Sequence, residues 1–409
     1  MSEWKCYKLN EISSLSNGIN FDKSAYTSGV KLIGVSDFKN RLYPDYDSLQ
    51  EVDSKVVKSG YYLKKGDIVF VRSNGNKELV GRCMMIDRDI PVTYSGFCIK
   101  LRLNDKKMFD PVFFNYLFRT RQFKKSMTGT AVGANIQNLS QSRLGSCEVN
   151  VPEIEIQREI ATILSRYDSL IENYQKQIKL LEEAAQRLYK AWFVDLHFPG
   201  HENTKIVDGV PEGWEKKSVK TIVELQSGYA FKSSDFASDG IYKIVTIKNV
   251  KDGAFDGENV SKIASIPEKM PKHCILEDGD ILLSLTGNVG RVCIVVGKNY
   301  LLNQRVAKLK SIFKAYTYCL FRSRDMFIDV NNLANGAAQQ NVSPIKIGEM
   351  KILIPEDKLL DEFEKESSNY ISGVIAFQSQ IRLLTEARDR LLPKLMSGEI
   401  EAKQQSIRT

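Results

Sequence analysis

Residues 66–86 read GDIVFVRSNGNKELVGRCMMI, and a variant of the same stretch, GDILLSLTGNVGRVCIVVG, recurs at residues 279–297. Each copy begins with Gly-Asp-Ile, passes through a glycine turn that carries an asparagine, and resumes with Val-Gly-Arg. Short β-branched runs on either side of a polar turn predict a hairpin in each copy. A match of this kind prompts a search for a repeat along the whole chain.

The match continues toward both ends of the chain. LSNGINF at residues 15–21 corresponds to LQSGYAF at residues 225–231, and QIKLLEEAAQRL at residues 177–188 corresponds to QIRLLTEARDRL at residues 380–391. Because order and spacing are kept throughout, the sequence represents one unit of about two hundred residues written twice.

The composition is that of a soluble globular protein, since 43% of the residues are hydrophobic and 26% are charged. The apolar runs are too short to cross a bilayer. Seven cysteines without a Cys-x-x-Cys spacing, together with only three histidines, favour a reducing cytoplasm and argue against a zinc site. The net charge of +8 permits nucleic-acid binding, but a solvated lysine-rich surface is the simpler explanation of the charge alone.

Each copy opens with short strands and turns and closes with a long helix. In both helices apolar residues recur mostly at alternating steps of four and three, which is the spacing of a heptad seam. We expect the two seams to pair with each other; the alternative is that each helix packs on its own globular region. The predicted seam residues are Ile156, Ile160, Ile163, Tyr167, Leu170, Tyr174, Ile178, Leu181, Leu188 and Trp192 in the first helix, and Leu359, Phe363, Tyr370, Val374, Phe377, Ile381, Leu384, Leu391 and Leu395 in the second.

These patterns predict an α+β protein with two mixed α/β globular regions. The segment between the first helix and the second region contains Gly, Pro and Asp, which is typical of a linker. The predicted segments are a first globular region at 1–152, a central long helix at 153–195, a linker at 196–213, a second globular region at 214–354 and a C-terminal long helix at 355–401.

The sequence lacks the motifs of the common catalytic classes. It has no Walker A loop, no dinucleotide-binding Gly-x-Gly-x-x-Gly after a strand, no Gly-x-Ser-x-Gly and no His-Glu-x-x-His. The nearby His197 and His201 fall in the linker, where a solvated loop is expected rather than a metal site. We therefore predict a non-catalytic recognition protein. The alternatives are a coiled-coil protein-interaction scaffold without DNA specificity and, less in keeping with the missing motifs, a fused catalytic enzyme.

In this duplicated frame, four stretches carry a family resemblance. They are LYKAWFVDLHFPG at 188–200, GVPEGW at 209–214, IPEDKLLDEF at 354–363 and LLPKLMSGEI at 391–400. In this order the chain resembles the specificity subunit of type I restriction–modification systems.

The resemblance implies a mechanism and a set of partners. Each globular region would be a target-recognition domain that reads one half of a bipartite sequence in double-stranded DNA, and the helices would form an antiparallel coiled coil with pseudo-two-fold symmetry. Two methylation subunits and the restriction subunits would dock on this chain. Adenosylmethionine, ATP and Mg would be bound by those partners, and this chain would hold no cofactor or metal.

Candidate DNA-contacting residues lie in the hairpin turns and in amide-rich loops, because base reading requires donors and acceptors on an element thin enough for a groove. Arg82 and Arg291 are common to both copies and are expected to contact phosphate, whereas residues that differ between the copies are candidates for base contacts. The shared Gly-Asp-Ile residues are expected to maintain the fold. The candidates are Arg72, Asn74, Lys77, Arg82, Asn135 and Gln137 in the first copy, and Thr286, Asn288, Arg291, Asn303, Gln304, Arg305, Gln339 and Gln340 in the second.

Overall fold

A computed structural model describes residues 4–39, 41–73, 79–128, 138–258, 260–334 and 341–401. The chain divides into two compact units. The first comprises Met1–Ser169 together with Thr385–Thr409, and the second comprises Leu170–Leu384.

The first unit is built on two sheets and a strand pair. One sheet has the order β2-β8-β5-β6, a smaller sheet has the order β4-β3-β7 with β3 and β7 parallel, and β1 pairs with β9. The strands are β1 (Lys5–Lys8), β2 (Ser13–Asn17), β3 (Val30–Ile33), β4 (Gln50–Val52), β5 (Ile68–Val71), β6 (Cys83–Met85), β7 (Val92–Tyr94), β8 (Cys98–Leu103) and β9 (Glu148–Val151), and the helices are α1 (Leu9–Ile12), α2 (Pro111–Leu117), α3 (Arg121–Thr128), α4 (Gln141–Gly145) and α5 (Ile154–Phe193), the last of which continues into the second unit.

The second unit repeats this plan. Its sheets have the orders β13-β20-β17-β18 and β15-β14-β19-β16, β12 pairs with β21, and β14 and β19 are parallel. The duplication predicted from the sequence is therefore confirmed in the fold. The strands are β10 (Ile206–Val207), β11 (Val210–Pro211), β12 (Glu215–Ser218), β13 (Glu224–Ser227), β14 (Tyr242–Val245), β15 (Ser261–Ile263), β16 (Ile275–Leu276), β17 (Ile281–Ser284), β18 (Val292–Ile294), β19 (Tyr300–Leu302), β20 (Val306–Lys310) and β21 (Lys351–Ile354), and the helices are α6 (Lys314–Arg322), α7 (Arg324–Ala334), α8 (Pro344–Glu349) and α9 (Asp357–Met396).

The strand after each Gly-Asp motif is buried on both faces. In β5, Ile68 and Phe70 pack into the core beneath the helices, while Val69 and Val71 pack into the core shared with the smaller sheet. Successive side chains of a strand point to opposite faces, so a strand between two cores must be apolar at every position. This explains the continuous apolar run in the sequence.

The shared Gly-Asp residues maintain the fold, as predicted. The two glycines have φ values of +92° and +85°, a region that favours glycine. Asp67 is 1% exposed, and Arg102 donates two hydrogen bonds of 2.7 and 2.6 Å to its carboxylate. Asp280 in the second unit pairs instead with Lys308 at 2.8 Å. Each carboxylate thus fixes the turn at the start of a central strand.

Helices α5 and α9 pack against each other in antiparallel fashion within the second unit. The rings of Tyr174 and Phe377 stack with centroids 5.1 Å apart, and the ring centroids of Trp192 and Phe363 lie 5.6 Å apart. The later residue of α5 therefore pairs with the earlier residue of α9, which shows that the helices run in opposite directions. Within the first unit, the N-terminal part of α5 and the C-terminal part of α9 supply residues to one apolar core.

Each helix also packs on a globular region. Pairing of the two helices and packing on the globular regions therefore both occur. Tyr116 of α2 donates a hydrogen bond of 2.5 Å to Asp168 of α5 in the first unit. The seam prediction was wrong at Leu170, which is 45% exposed, whereas Ile171 is 9% exposed. A helix that packs on two surfaces buries a stripe that turns around its axis, so a strict heptad does not describe it.

The segment predicted as a linker packs on the second unit. It contains the β10–β11 hairpin, and Phe198 is buried with its ring centroid 5.3 Å from that of Trp214. The hairpin is therefore flanked by two aromatic residues, Phe198 before it and Trp214 after it, that are both buried in the core of the second unit.

Candidate nucleic-acid interface

Three loops of the first unit meet where β5 ends and β8 begins. The amide of Arg72 donates a hydrogen bond of 2.8 Å to the carbonyl of Phe97, and the amide of Leu139 donates one of 2.7 Å to the carbonyl of Arg72. Ser73 and Asn138 form an isolated antiparallel bridge beside them. These bonds bring the end of β5, the β7–β8 loop and residues 138–139 together.

The second unit joins the equivalent loops through the same main-chain bonds. The amide of Leu285 donates a hydrogen bond of 3.0 Å to the carbonyl of Arg305, and the amide of Val342 donates one of 2.9 Å to the carbonyl of Leu285. Thr286 and Asn341 form the corresponding bridge. We call residues 72–73, 95–97 and 138–139, and residues 285–286, 303–305 and 341–342, the loop cluster of each unit.

A shared glycine lets the chain approach each loop cluster closely. A Cβ atom added at Gly18 would lie 2.3 Å from the carbonyl oxygen of Ser95, and one added at Gly228 would lie 2.2 Å from that of Asn303. Any other residue would push the loop away. This contact gives a physical reason for the glycine in the repeated LSNGINF and LQSGYAF stretches.

The second loop cluster and the adjoining hairpin turn contain most of the candidates predicted for that copy. Asn288, Gln304 and Arg305 are exposed, and Asn303 is half-buried. Thr286 is 6% exposed, and its hydroxyl donates a hydrogen bond of 2.9 Å to the side-chain oxygen of Asn341. Thr286 therefore positions the loop, and the exposed amide at this bridge belongs to Asn341.

The two arginines common to both copies close the hairpins. The amide of Val71 donates a hydrogen bond of 2.8 Å to the carbonyl of Arg82, and that of Ser284 donates one of 2.9 Å to the carbonyl of Arg291. Both arginine side chains are half-buried, and that of Arg82 reaches the carbonyl of Phe38 at 3.5 Å. The two arginines therefore occupy equivalent backbone positions in the two copies, and their contact with phosphate stays a prediction.

Of the remaining candidates, Arg72 is half-buried at the edge of the first loop cluster. The others lie outside the residues that the structure describes. They are Asn74, Lys77, Asn135, Gln137, Gln339 and Gln340.

The sequence interpretation missed Phe97, which is 52% exposed in the first loop cluster. Its carbonyl accepts the same main-chain hydrogen bond as that of Arg305, so the two residues are equivalent. A signal was present, because the Lys-Leu pair of β8 aligns with the Lys-Leu pair of β20 and sets Phe97 opposite Arg305. Phe97 has no hydrogen-bonding group in its side chain, and that group was the property that marked the predicted candidates.

The described residues hold no group of three or more His, Cys, Asp or Glu side chains placed to bind a metal ion. The rings of His197 and His201 lie 5.3 Å apart, and the Nδ1 atom of His201 lies 2.9 Å from the carbonyl oxygen of Phe198. In the part of the chain that was described, no helix has the length and apolar character needed to cross a membrane.

The family model of the type I restriction modification DNA specificity domain matches residues 1–183 and 211–369. The chain belongs to this family. The resemblance inferred from the sequence is thereby confirmed, and the two matched ranges correspond to the two copies of the repeat. Recognition of DNA sequence is the property that the family description assigns to the domain.

The chain is similar over most of its length to specificity subunits of type I restriction enzymes. The type I restriction enzyme MjaIX specificity subunit of Methanocaldococcus jannaschii is 28% identical over 71% of this chain and 69% of its own length. The HindI specificity subunit of Haemophilus influenzae is 22% identical over 98% of this chain and 100% of its own length. The S subunit of a type I system from M. genitalium has a similar fold, with a TM-score of 0.59, 17% identity and 96% of each chain covered.

Proposed function

We propose that this chain is the subunit of a type I restriction–modification complex that reads DNA, with one half of a bipartite target read by each loop cluster. The observation that carries the proposal is that both units join the same three loops by the same main-chain bonds while exposing different side chains. A common scaffold with different exposed chemistry suits two readers of different half-sites.

The exposed side chains of the second loop cluster suit base edges. Amide side chains such as that of Gln304 can bond adenine, and the guanidinium of Arg305 can bond guanine in the major groove. In the first unit, Phe97 occupies the place of Arg305 and offers an apolar surface, which suits a thymine methyl group. The two half-sites are therefore expected to differ in base composition.

Catalysis is assigned to partner chains in this proposal. Two methylation subunits bind adenosylmethionine, and the restriction subunits use ATP and Mg. These partners dock on the present chain, whose own role is recognition in the cytoplasm without a cofactor of its own. The alternative remains a protein-interaction scaffold without DNA specificity, which antiparallel helices would also suit.

Duplex binding as a function of salt tests the proposal. The chain, purified with its methylation partner, is titrated with a duplex that carries the methylated motif of the host genome and with a shuffled duplex of equal length. We expect the specific duplex to bind at least about a thousandfold more tightly, and the affinity for both to fall steeply with salt. Equal binding of both duplexes would favour the scaffold alternative.

A further inference from the structure

Two equivalent helices, α3 in the first unit and α7 in the second, expose different types of side chain. Helices α3 and α7 each begin two residues after a Leu-Phe-Arg stretch. Each buries an equivalent pair of apolar residues, Phe123 and Met127 in α3 and Met326 and Val330 in α7. At the two exposed positions inside this pattern, α3 has Lys124 and Lys125, whereas α7 has Phe327 and Ile328, each 43% exposed.

Both helices pack beneath the hairpin turn of their loop cluster. A Cβ atom added at Gly81 would lie 2.9 Å from the terminal carbon of Met127 on α3. In the second unit, the side-chain nitrogen of Asn331 on α7 donates a hydrogen bond of 3.1 Å to the carbonyl of Val289. Each helix therefore lies next to the hairpin that carries candidate DNA-reading residues.

Positive charge converges at α3. The helix sequence, RQFKKSMT, contains no acidic residue, and Arg121, Lys124 and Lys125 are exposed. Although the side chain is exposed, desolvation lowers the pKa of the Lys124 ammonium, and the nearby guanidinium groups of Arg119 and Arg82 lower it further. Several cations held close together on one surface are complementary to an anionic polymer.

Helix α7 has a different surface. Its exposed positions include Arg324, which is equivalent to Arg121, but also Asp325, Asp329, Phe327 and Ile328. Carboxylates repel phosphate, and apolar side chains cannot neutralise it. The two carboxylates outnumber the single arginine, so the equivalent helix of the second unit has no net positive charge to attract the DNA backbone.

We infer that the exposed face of α3 binds DNA phosphates beside the first half-site and that α7 makes no such contact at the second. This inference rests on the proposed function and adds an inequality to it. The first half-site supplies the larger share of salt-dependent affinity, while the bases that are read do not change, because phosphate contacts carry no sequence information.

The test is the salt dependence of specific duplex binding by the double variant Lys124→Gln and Lys125→Gln, in complex with the methylation partner. Each phosphate contact contributes about 0.9 to the slope of log affinity against log salt, so the slope should become shallower by about 2. The methylated motif should stay that of the wild type. The charge-conserving double variant Lys124→Arg and Lys125→Arg should keep the wild-type slope.

The matched control removes two lysines from the far end of β8. Lys106 and Lys107 are exposed and follow the six-residue strand, about 20 Å along it from Phe97 at 3.3 Å per residue. Their double change to Gln removes the same charge and should leave the slope as in the wild type. In the second unit, Arg324→Gln removes the charge equivalent to that of Arg121 and should also leave the slope unchanged.

Two outcomes would overturn the inference. One is a wild-type slope in the Lys124 and Lys125 variant, or an equal loss in the Lys106 and Lys107 control, which would reduce the effect to net charge. The other is a changed motif, which would make α3 a reader of bases. If the double variant does not assemble, Arg121→Gln alone should make the slope of log affinity against log salt shallower by about 1. Failure of the proposed function is a separate result, in which the wild-type complex does not prefer its motif.

Discussion

Equivalent exposed positions that differ between the units are the informative residues of this chain. Phe97 and Arg305 accept the same main-chain hydrogen bond but expose a ring and a guanidinium. The double change Gln304→Ala and Arg305→Ala is expected to relax the second half of the methylated motif and leave the first half intact. Loss of a bidentate contact costs about 1–3 kcal/mol of discrimination per base. Sequencing the methylated adenines measures both halves in one sample.

The matched variant for this prediction is Phe97→Ala, which should alter only the first half. If either variant changed both halves, or if neither changed any base preference, the loop clusters would not be independent readers. An Ala substitution at these exposed positions leaves the main-chain bonds of the cluster in place, so a folding defect is not expected.

The cysteines give a second prediction at this scale. All seven are free, and only Cys6 is exposed. Burial raises the pKa of the Cys98 thiol to about 12, and because the thiolate is the reacting form, this thiol stays protonated and inert near pH 8. Labelling of the native chain at pH 8 should find one fast thiol, which disappears in Cys6→Ser, and seven after unfolding. Two or more fast thiols in the native chain would contradict this account.

The strand that follows each Gly-Asp motif depends on the carboxylate of that motif. Asp67→Asn should destabilise the first unit by about 2–4 kcal/mol, because the amide cannot accept both hydrogen bonds from the Arg102 guanidinium. Asp280→Asn should have a smaller effect, since Lys308 makes a single contact. Urea unfolding measures the stabilities. The methylated motif should not change in either variant, and a changed motif at unchanged stability would show that the aspartates read DNA.

Sequence periodicity predicted the elements that depend on local pattern and missed those that depend on distant contacts. The hairpins and the long helices α5 and α9 follow from turn residues and apolar spacing. The parallel pairing of β3 with β7 joins distant segments, so no local pattern marks it. The exposure of Leu170 was missed for a related reason, since α5 packs on two surfaces at once.

For the chain as a whole, the internal repeat was sufficient to predict two equivalent regions and two long helices. The boundaries of the two compact units nevertheless fall inside the helices, at 169/170 and 384/385. Each unit therefore includes residues from both α5 and α9. A boundary drawn along the sequence cannot represent such a unit. The base-reading residues could be predicted only in part, since they depend on how three separate loops meet.

Helix length gives a prediction about the target. A second copy of residues 168–174 inserted after Tyr174, together with a second copy of residues 371–377 inserted after Phe377, keeps a Tyr opposite a Phe at both repeats of the stacked pair. The added heptads lengthen the helices by about 10 Å, which corresponds to about three base pairs at 3.4 Å each. The methylated motif of an active variant should keep both half-sites and gain about three base pairs between them. An active variant with the original gap would show that the helices do not set it.

Replacement of the first globular region tests whether the two units read DNA independently. Residues 1–152 are exchanged for the equivalent region of a relative with a different motif, while both helices and the second globular region are kept. The methylated adenines of cells that carry the hybrid chain and its methylation partner are then sequenced. We expect a motif in which one half is that of the relative, while the other half and the gap are unchanged. A motif in which both halves change would contradict this expectation.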